Sequence, residues 1–391
     1  MKVLFYASTF GADLLAFALY LDKKPNVTAK VLLSEPDQFT QEGIAKIYPL
    51  KAELIKKSVK NYFFKPGGFE PDVTIMDNKV PLRAPSPNGL MLWHGFGWKG
   101  PNDEKEFGWL HKSITAAWGS AKEPNDHFRW QCFGPWDQKH RTEVSGFHPD
   151  NCRQLGAASH DLLRDPLPKE KIQPFYPFDV VSKKTILIAP TWHYGEVLSH
   201  WGRDADLFEK LFNRIEAHDA NVILRLHDSF RFEKNYIQFL EELVRRHPNT
   251  ILKFKDQHPD NLLDMMVSDA LITNYSSIAN LYYATGRPTI HIYPVKDEDE
   301  DFLWRKHTAL GTFKKTVDSV KYIWKLPPEE HGGLMARDFD TLLEQVDQAI
   351  ESPDCCKQKT QDFLDKYMLG ADGKNCDRIW DAVNELVNNK E

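Results

Sequence analysis

Short apolar runs alternate with longer segments of helical period along the first part of the chain: KVLFYAS, then GADLLAFALYLDK, then AKVLLS, later DVTIMD and GLMLWHG. Such runs predict strands covered on both faces, and their alternation with helices predicts a parallel α/β sheet. Further strands are predicted at ITAAWGS and RWQCFG, while DNCRQLGAASHDLLRD reads as a strand, a Gly-Ala turn and a helix start. The proline-rich, charged and aperiodic stretch PLPKEKIQPFYPFDVVSKK is the candidate linker. Past it the rhythm resumes with strand KTILIAPTW, helix DLFEKLFNRIEAHD, strand NVILRLHDS, helix NYIQFLEELVRRH, strand TILKFKD, helix NLLDMMVS, strand DALITNYSS, helix IANLYYATG and strand PTIHIYP. In the tail, RDFDTLLEQVDQAIE and DRIWDAVNELV carry the i, i+3, i+4 spacing of amphipathic helices.

This pattern predicts an α/β protein of two doubly wound, Rossmann-like domains, residues 1–178 and 182–391, the second carrying the C-terminal helices. A chain of 391 residues suits two cores rather than one. The two domains are expected to face each other across a cleft, because ligands of open α/β sheets bind beyond the carboxyl ends of the strands. Residues just past strands are therefore the ones to examine for chemistry.

Composition narrows the chemistry. A net charge of −6 argues against a general nucleic-acid binder, so an anionic substrate has to be held by local groups. No apolar stretch is long enough to span a bilayer, and the first residues lack the pattern of a signal peptide. The five cysteines (Cys132, Cys152, Cys355, Cys356, Cys376) are odd in number and form no CxxC pair. Neither a disulfide framework nor a zinc site is expected, and a reducing cytoplasm is the expected setting.

His94 follows the strand GLMLW, and Gly95, Gly97 and Gly100 behind it let the backbone come close to a ligand. A histidine there can take a proton from a hydroxyl near neutral pH; the competing reading is a structural histidine in a tight turn. His227 ends NVILRLH in the second domain, with Arg225 on the same side by strand alternation. An arginine and a histidine together suit a phosphate, against the alternative of a surface ion pair with Asp228 or Glu233. In SDALITNYSS the hydroxyls of Ser276 and Ser277, with the amides of the following helix, make an anion site, and this is compatible with plain N-capping. Arg287 and Pro288 open the next strand.

Three other stretches read more plainly. His193 and His200 in IAPTWHYGEVLSHWGRD lack the i, i+4 spacing of a helical metal site and are read as part of a cleft-lining loop. The acidic run KDEDED, 296–301, reads as a solvated loop rather than a cation site, so no metal and no cofactor is expected. KAELIKKSVKNYFFKP, 51–66, reads as a lysine-decorated helix packed on the first sheet, its alternative being contact with an anionic membrane surface.

Taken in order, WHG followed by Lys99, APTW, RLH, SDALITNYSS with RPTI after it, and the tail ADGKNCDRIWDAV resemble the CDP-glycerol glycerophosphotransferase family of teichoic acid primases and polymerases. The resemblance runs over residues 90–385, while the first ~90 residues match only in their α/β character. It implies a glycosyltransferase-B-like fold and transfer of an alditol phosphate from a CDP-activated donor to a hydroxyl of a glycan or lipid-linked acceptor, releasing CMP. The family's two important histidines fall on His94 and His227, and its phosphate-loop serines on Ser276 and Ser277. On this resemblance His94 is the general base, and His227 with Arg225 stabilises charge on the transferring phosphoryl group. Substrate contacts are expected from Gly95, Lys99, Thr191, Arg225, Asn274, Tyr275, Ser276, Ser277 and Arg287. The acceptor falls to the first domain and the donor to the second, and a lipid-linked acceptor brings peripheral contact with the inner face of the membrane.

The chain departs from the family pattern at His193, where the family has Arg, at Asp228 (Pro), at Asn274 (Asp) and at Asn280 and Leu281 (Phe-Asp). The stretch GxPRxDxL keeps only Gly156, Asp161 and Leu163. These changes bear on donor identity more than on reaction class. The alternatives are a UDP- or CMP-sugar glycosyltransferase of the same architecture, a non-hydrolysing sugar-nucleotide epimerase, and a non-catalytic nucleotide-binding relative.

Overall fold

The computed structural model describes residues 1–7, 10–41, 44–63, 68–93, 95, 96, 98, 102–190, 198, 201–227, 234–255, 257, 258, 260–293, 302–308, 311–317 and 325–388. The chain forms two compact units. Unit 1 comprises Met1–Phe96, Asn102–Asp165 and Leu364–Glu391; unit 2 comprises Gly97–Pro101 and Pro166–Phe363.

Unit 1 is built on seven strands: β1 (Lys2–Tyr6), β2 (Thr28–Leu33), β3 (Glu53–Lys56), β4 (Val73–Met76), β5 (Asn88–Met91), β6 (Phe128–Cys132) and β7 (Cys152–Gln154). They lie in the order β3-β2-β1-β4-β5-β6-β7, every pair parallel. β1 has Val3, Leu4 and Phe5 fully buried, which is why it reads as an unbroken apolar run rather than an alternating one. Unit 2 holds β8 (Thr185–Ile188), β9 (Asn221–Leu226), β10 (Thr250–Phe254), β11 (Ala270–Thr273), β12 (Thr289–Ile292) and, after the antiparallel hairpin β13 (Phe302–Thr308) and β14 (Gly311–Val317), β15 (Leu334–Ala336). Its sheet runs β10-β9-β8-β11-β12-β15, again wholly parallel. In both sheets the strand order reverses beside the first strand of the unit, the doubly wound arrangement the apolar rhythm predicts. The helix Asp204–Ala217 illustrates the packing, burying Leu207, Phe208, Leu211, Phe212 and Ile215 against the second sheet.

Four expectations are corrected. ITAAWGS is not a strand but the end of the helix Gly108–Trp118, whose buried face is Leu110, Ile114 and Trp118, one turn apart. Trp118 is held by its indole N–H on the Ser86 carbonyl (3.0 Å) and lies so close to Gly89 that a Cβ there would meet the ring at 2.8 Å. KAELIKKSVKNYFFKP is not one helix: it gives β3, inserted at the sheet edge beside β2, and then the short helix Val59–Phe63, whose start is capped by the Ser58 hydroxyl accepting from the Asn61 amide.

The proline-rich stretch 166–184 is not a free linker. It supplies the helix Lys169–Ile172 and buries Ile172, Tyr176, Phe178 and Val180 in unit 2, so the boundary falls at 165/166. The C-terminal helix Asn375–Asn388 belongs to unit 1, not to the second domain. The Asp161 carboxylate accepts from the Asn375 and Cys376 amides (3.2 and 2.8 Å) and from the Asn375 side chain (3.0 Å), capping the helix start. Gly156, at φ +67°, leaves room for Asn375, whose Oδ1 a Cβ would meet at 1.9 Å. The residues retained from GxPRxDxL thus dock the tail helix. Among the described residues no helix is long and apolar enough to cross a membrane, and all five cysteines are free.

Candidate functional site

The carboxyl edge of the second sheet gathers the candidates that the structure describes. Ile188 of β8 is level with Leu224 of β9 on one side and Ile272 of β11 on the other. His227 and Tyr275 each lie three residues beyond that level, so His227 and the Asn274–Ser277 turn leave the same edge of the sheet, two strand spacings or about 9.5 Å apart. The order reverses between β8 and β11, which is where a parallel sheet of this order takes its ligand. His227, Ser276 and Ser277 are all half-buried, within reach of solvent.

The turn before the helix Ile278–Tyr282 is unusual in its backbone. Tyr275 has φ +59°, the left-handed region that a bulky side chain occupies at a cost of about 1–3 kcal/mol. Its surroundings hold it there. The ring is buried against Trp98 (5.6 Å), His291 (4.6 Å) and His331 (6.3 Å), and the hydroxyl donates to the Pro328 carbonyl at 2.7 Å. Burial pushes the phenol far above its usual range, so it stays neutral. The expectation that the Tyr275 side chain contacts substrate is therefore corrected: it is buried and anchors the turn. Ser277 precedes the helix, whose Ala279 and Asn280 amides donate to the Ser276 and Ser277 carbonyls at 3.0 and 3.2 Å.

Arg225 is likewise a structural residue. Its guanidinium donates to Asp264 at 2.7 Å and to the His258 carbonyl at 2.5 Å, and Asp264 also accepts from Lys253 at 2.7 Å and Tyr176 at 2.5 Å. Burial pushes the Asp264 carboxyl up, but Lys253 and Arg225 together pull it below the ordinary carboxylate range. Among the described residues its partner is thus an aspartate inside the unit, and the guanidinium fixes the strand that carries His227; Asp228 and Glu233 lie outside the described residues. Arg287 is corrected too. It donates to the carbonyls of Met266 and Ser268 (2.7 and 2.6 Å), and the pairing of Thr289 with Leu271 sets it at the amino edge, about 16 Å of strand from Asn274.

His94, Lys99 and Thr191 lie outside the described residues, as do His193, His200, Asp228 and the acidic run 296–301. The flanks of His94 are described. In unit 1, Trp93 stacks on Trp130 (5.4 Å) and Gly95 is half-buried, while Phe96 packs on Phe133 (6.0 Å) and Trp136 (5.4 Å). Trp98, within unit 2, is buried against Tyr275, Tyr283, His291 and Phe363, and its indole donates to the Glu330 carbonyl at 2.9 Å. Sequence reasoning missed this anchor, although the alternation of aromatic residues and glycines in WHGFGW was its signal. Asn274, Asn280 and Leu281, three of the departures, are buried. Among the described residues, no group of three or more His, Cys, Asp or Glu side chains is placed to hold a metal ion.

Comparison with known proteins shows what this edge is similar to. Residues 156–301, which contain His227 and the Ser276–Ser277 turn, match the model of the CDP-Glycerol:Poly(glycerophosphate) glycerophosphotransferase family. Over that segment the chain is similar to this family. It is 25% identical over 309 residues to the teichoic acid ribitol-phosphate polymerase TarK of Staphylococcus aureus, an alignment covering 75% of this chain and 52% of TarK. The chain thus spans about half the length of that relative. Among solved structures, the wall teichoic acid polymerase TagF, as a variant soaked with CDPG, has the same fold with a TM-score of 0.70 at 15% identity, covering 100% of this chain and 89% of TagF. The UDP-GlcNAc 2-epimerase of Neisseria meningitidis shares the fold more distantly, with a TM-score of 0.53 at 12% identity over 98% of this chain and 99% of the epimerase. The glycosyltransferase-B-like α/β architecture of this chain is therefore established, and at these identities the likeness to TagF and to the epimerase extends to fold alone.

Proposed function

We propose that this chain transfers an alditol phosphate from a CDP-activated donor to a hydroxyl of a glycan or lipid-linked acceptor, in synthesis of a teichoic-acid-type polymer. The observation that carries the reading is the placement of His227 and the Ser276–Ser277 turn on one sheet edge, at the strand reversal, inside the segment that matches the family. In this reading the Ser276 and Ser277 hydroxyls hold the donor phosphates, while the Ala279 and Asn280 amides of the following helix brace the turn through the serine carbonyls. His94 takes the proton from the acceptor hydroxyl. The acceptor oxygen then bonds to the alditol-side phosphorus as the bond to CMP breaks, and CMP departs with the electron pair. His227 stabilises the charge that develops on the phosphoryl oxygens, and Arg225 acts only by holding β9. Lys99 and Thr191 are assigned to substrate by the family pattern. Transfer of this kind depends on positioning and electrostatics, with no covalent intermediate required. Contact with the membrane follows from a lipid-linked acceptor alone, since residues 51–63 give a strand and a short helix rather than one amphipathic helix.

The test is CMP release from CDP-glycerol and CDP-ribitol in the presence of a teichoic-acid-type primer, alongside thermal shifts with CMP, CDP and UDP. A ligand at ~100 times its dissociation constant stabilises by about 2.7 kcal/mol, which a melting curve resolves. Stabilisation by cytidine ligands with CMP release supports the proposal. A response to UDP ligands alone overturns it in favour of a sugar-nucleotide enzyme, and tight CDP binding without turnover favours a non-catalytic relative.

A further inference from the structure

The first sheet also has a point of strand reversal, between β1 and β4, and a lysine stands over it. Tyr6 pairs with Met76, so Ala7 and Asp77, one residue on, stand abreast at the carboxyl edge. Lys57 follows β3 and reaches across β2 to this point. Its ammonium donates to the Ala7 carbonyl at 2.7 Å and lies 4.1 Å from the centroid of the Tyr6 ring.

The neighbouring lysines of this sheet have carboxylate partners: Lys30 pairs with Glu53 at 2.8 Å and Lys56 with Glu35 at 3.3 Å. Lys57 is half-buried, and among the described residues it forms no ion pair with a carboxylate. Asp77, itself buried, acts on it only as a nearby charge, opposed by the exposed Lys79. Burial, with Lys79 adding to it and Asp77 opposing, pulls the amine down to about 8. Lys57 is therefore still mostly protonated at pH 7, which excludes a base and leaves a partly desolvated cation with one hydrogen bond among the described residues. A second, anionic acceptor would relieve that cost, and a site at the strand reversal is where a ligand reaches the sheet.

We propose that Lys57 anchors an anion-binding subsite in unit 1 that takes a phosphate ester. The subsite is separate from the Ser276–Ser277 turn of unit 2. Its assignment to the phosphate of the acceptor rests on the proposed transferase reading; the anion site itself does not.

The test uses the full chain and glycerol 3-phosphate as probe, titrated by calorimetry into the wild type, Lys57→Met and Lys57→Arg, with CDP titrated in parallel. Methionine keeps the apolar stem and removes the charge; arginine keeps the charge. The expected result is at least ~tenfold weaker glycerol 3-phosphate binding in Lys57→Met, the size of one charge-assisted hydrogen bond, with Lys57→Arg retaining most of it. Amine acylation mapped by mass spectrometry should show Lys57 protected by the probe in the wild type. Equal binding in Lys57→Met, or no binding and no protection in the wild type at millimolar probe, overturns the proposal. Loss of CDP binding in the wild type with Lys57-dependent probe binding intact would sink the donor reading and leave this one standing.

Discussion

Asp264→Asn is the sharpest test of how the second unit holds its functional edge. Asp264 is fully buried and accepts hydrogen bonds from Lys253, Arg225 and Tyr176. Two cations therefore depend on one carboxylate. Asparagine preserves the volume but leaves Lys253 and Arg225 buried without a counter-charge, and breaking a buried pair in this way costs about 3–5 kcal/mol. For a domain of this size each kcal/mol lowers the melting temperature by ~2–4 °C, so a fall on the order of 10 °C is expected. Urea unfolding at pH 7.5 measures the loss, and hydrogen exchange in β9 and β10 assigns it to unit 2. Adding Lys253→Met should recover part of the stability, because one of the two stranded charges is then gone. The same variant should lose the proposed CMP release well below its melting temperature, since Arg225 sits two residues before His227. A stability loss under ~1 kcal/mol would refute the reasoning, because it would mean the charges are not desolvated as their burial implies.

Three further outcomes follow from the same geometry. His227→Ala should lower CMP release by ~100-fold or more while leaving the thermal shift with CDP largely intact; steady-state kinetics beside the melting curve separates the two. Trp98→Ala should destabilise unit 2 by about 3–5 kcal/mol, with faster hydrogen exchange through residues 274–282, whereas an unchanged exchange profile there would show that Trp98 does not brace the turn. Burial first, then neighbouring His331 and Lys359, hold His291 well below the usual histidine range, and burial with Lys359 holds His331 down to about 3. Both stay neutral in the fold while the unfolded chain takes up protons below its ordinary value near 6.5. Stability should thus be full above about pH 6.5 and fall as pH drops toward 3, by up to ~1.4 kcal/mol per pH unit for each histidine. Urea midpoints that do not move between pH 7.5 and 5 would contradict this.

What was legible in the sequence and what was not divide along a physical line. Strands such as KVLFY and TILI were readable because burial on both faces leaves an unbroken apolar run, and the order of those runs along the chain already implied two doubly wound sheets. Their ends located His227 and the Ser276–Ser277 turn for the same reason, since a strand end in a parallel sheet is a place in the fold as well as in the chain. The destinations of individual side chains were not readable. Arg225 looked like a phosphate ligand because nothing near it in sequence shows that Asp264, 39 positions away, takes its guanidinium. Arg287 shares a motif with the serines, yet a motif that spans a helix between two parallel strands returns to the opposite edge of the sheet. The amphipathic period of the last helix showed that one face is buried but not against which unit; only the contact of Asp161 with Asn375 and Cys376 decides that. Lys57 is the converse case. In sequence it is one of several lysines in a basic stretch, and it differs from Lys56 only because the strand register carries Lys56 to a glutamate and Lys57 to the strand reversal. Periodicity and order therefore predict which edge gathers the candidate residues, and the pairing of charges across the sheet decides which of the charged residues at that edge remain available to a ligand.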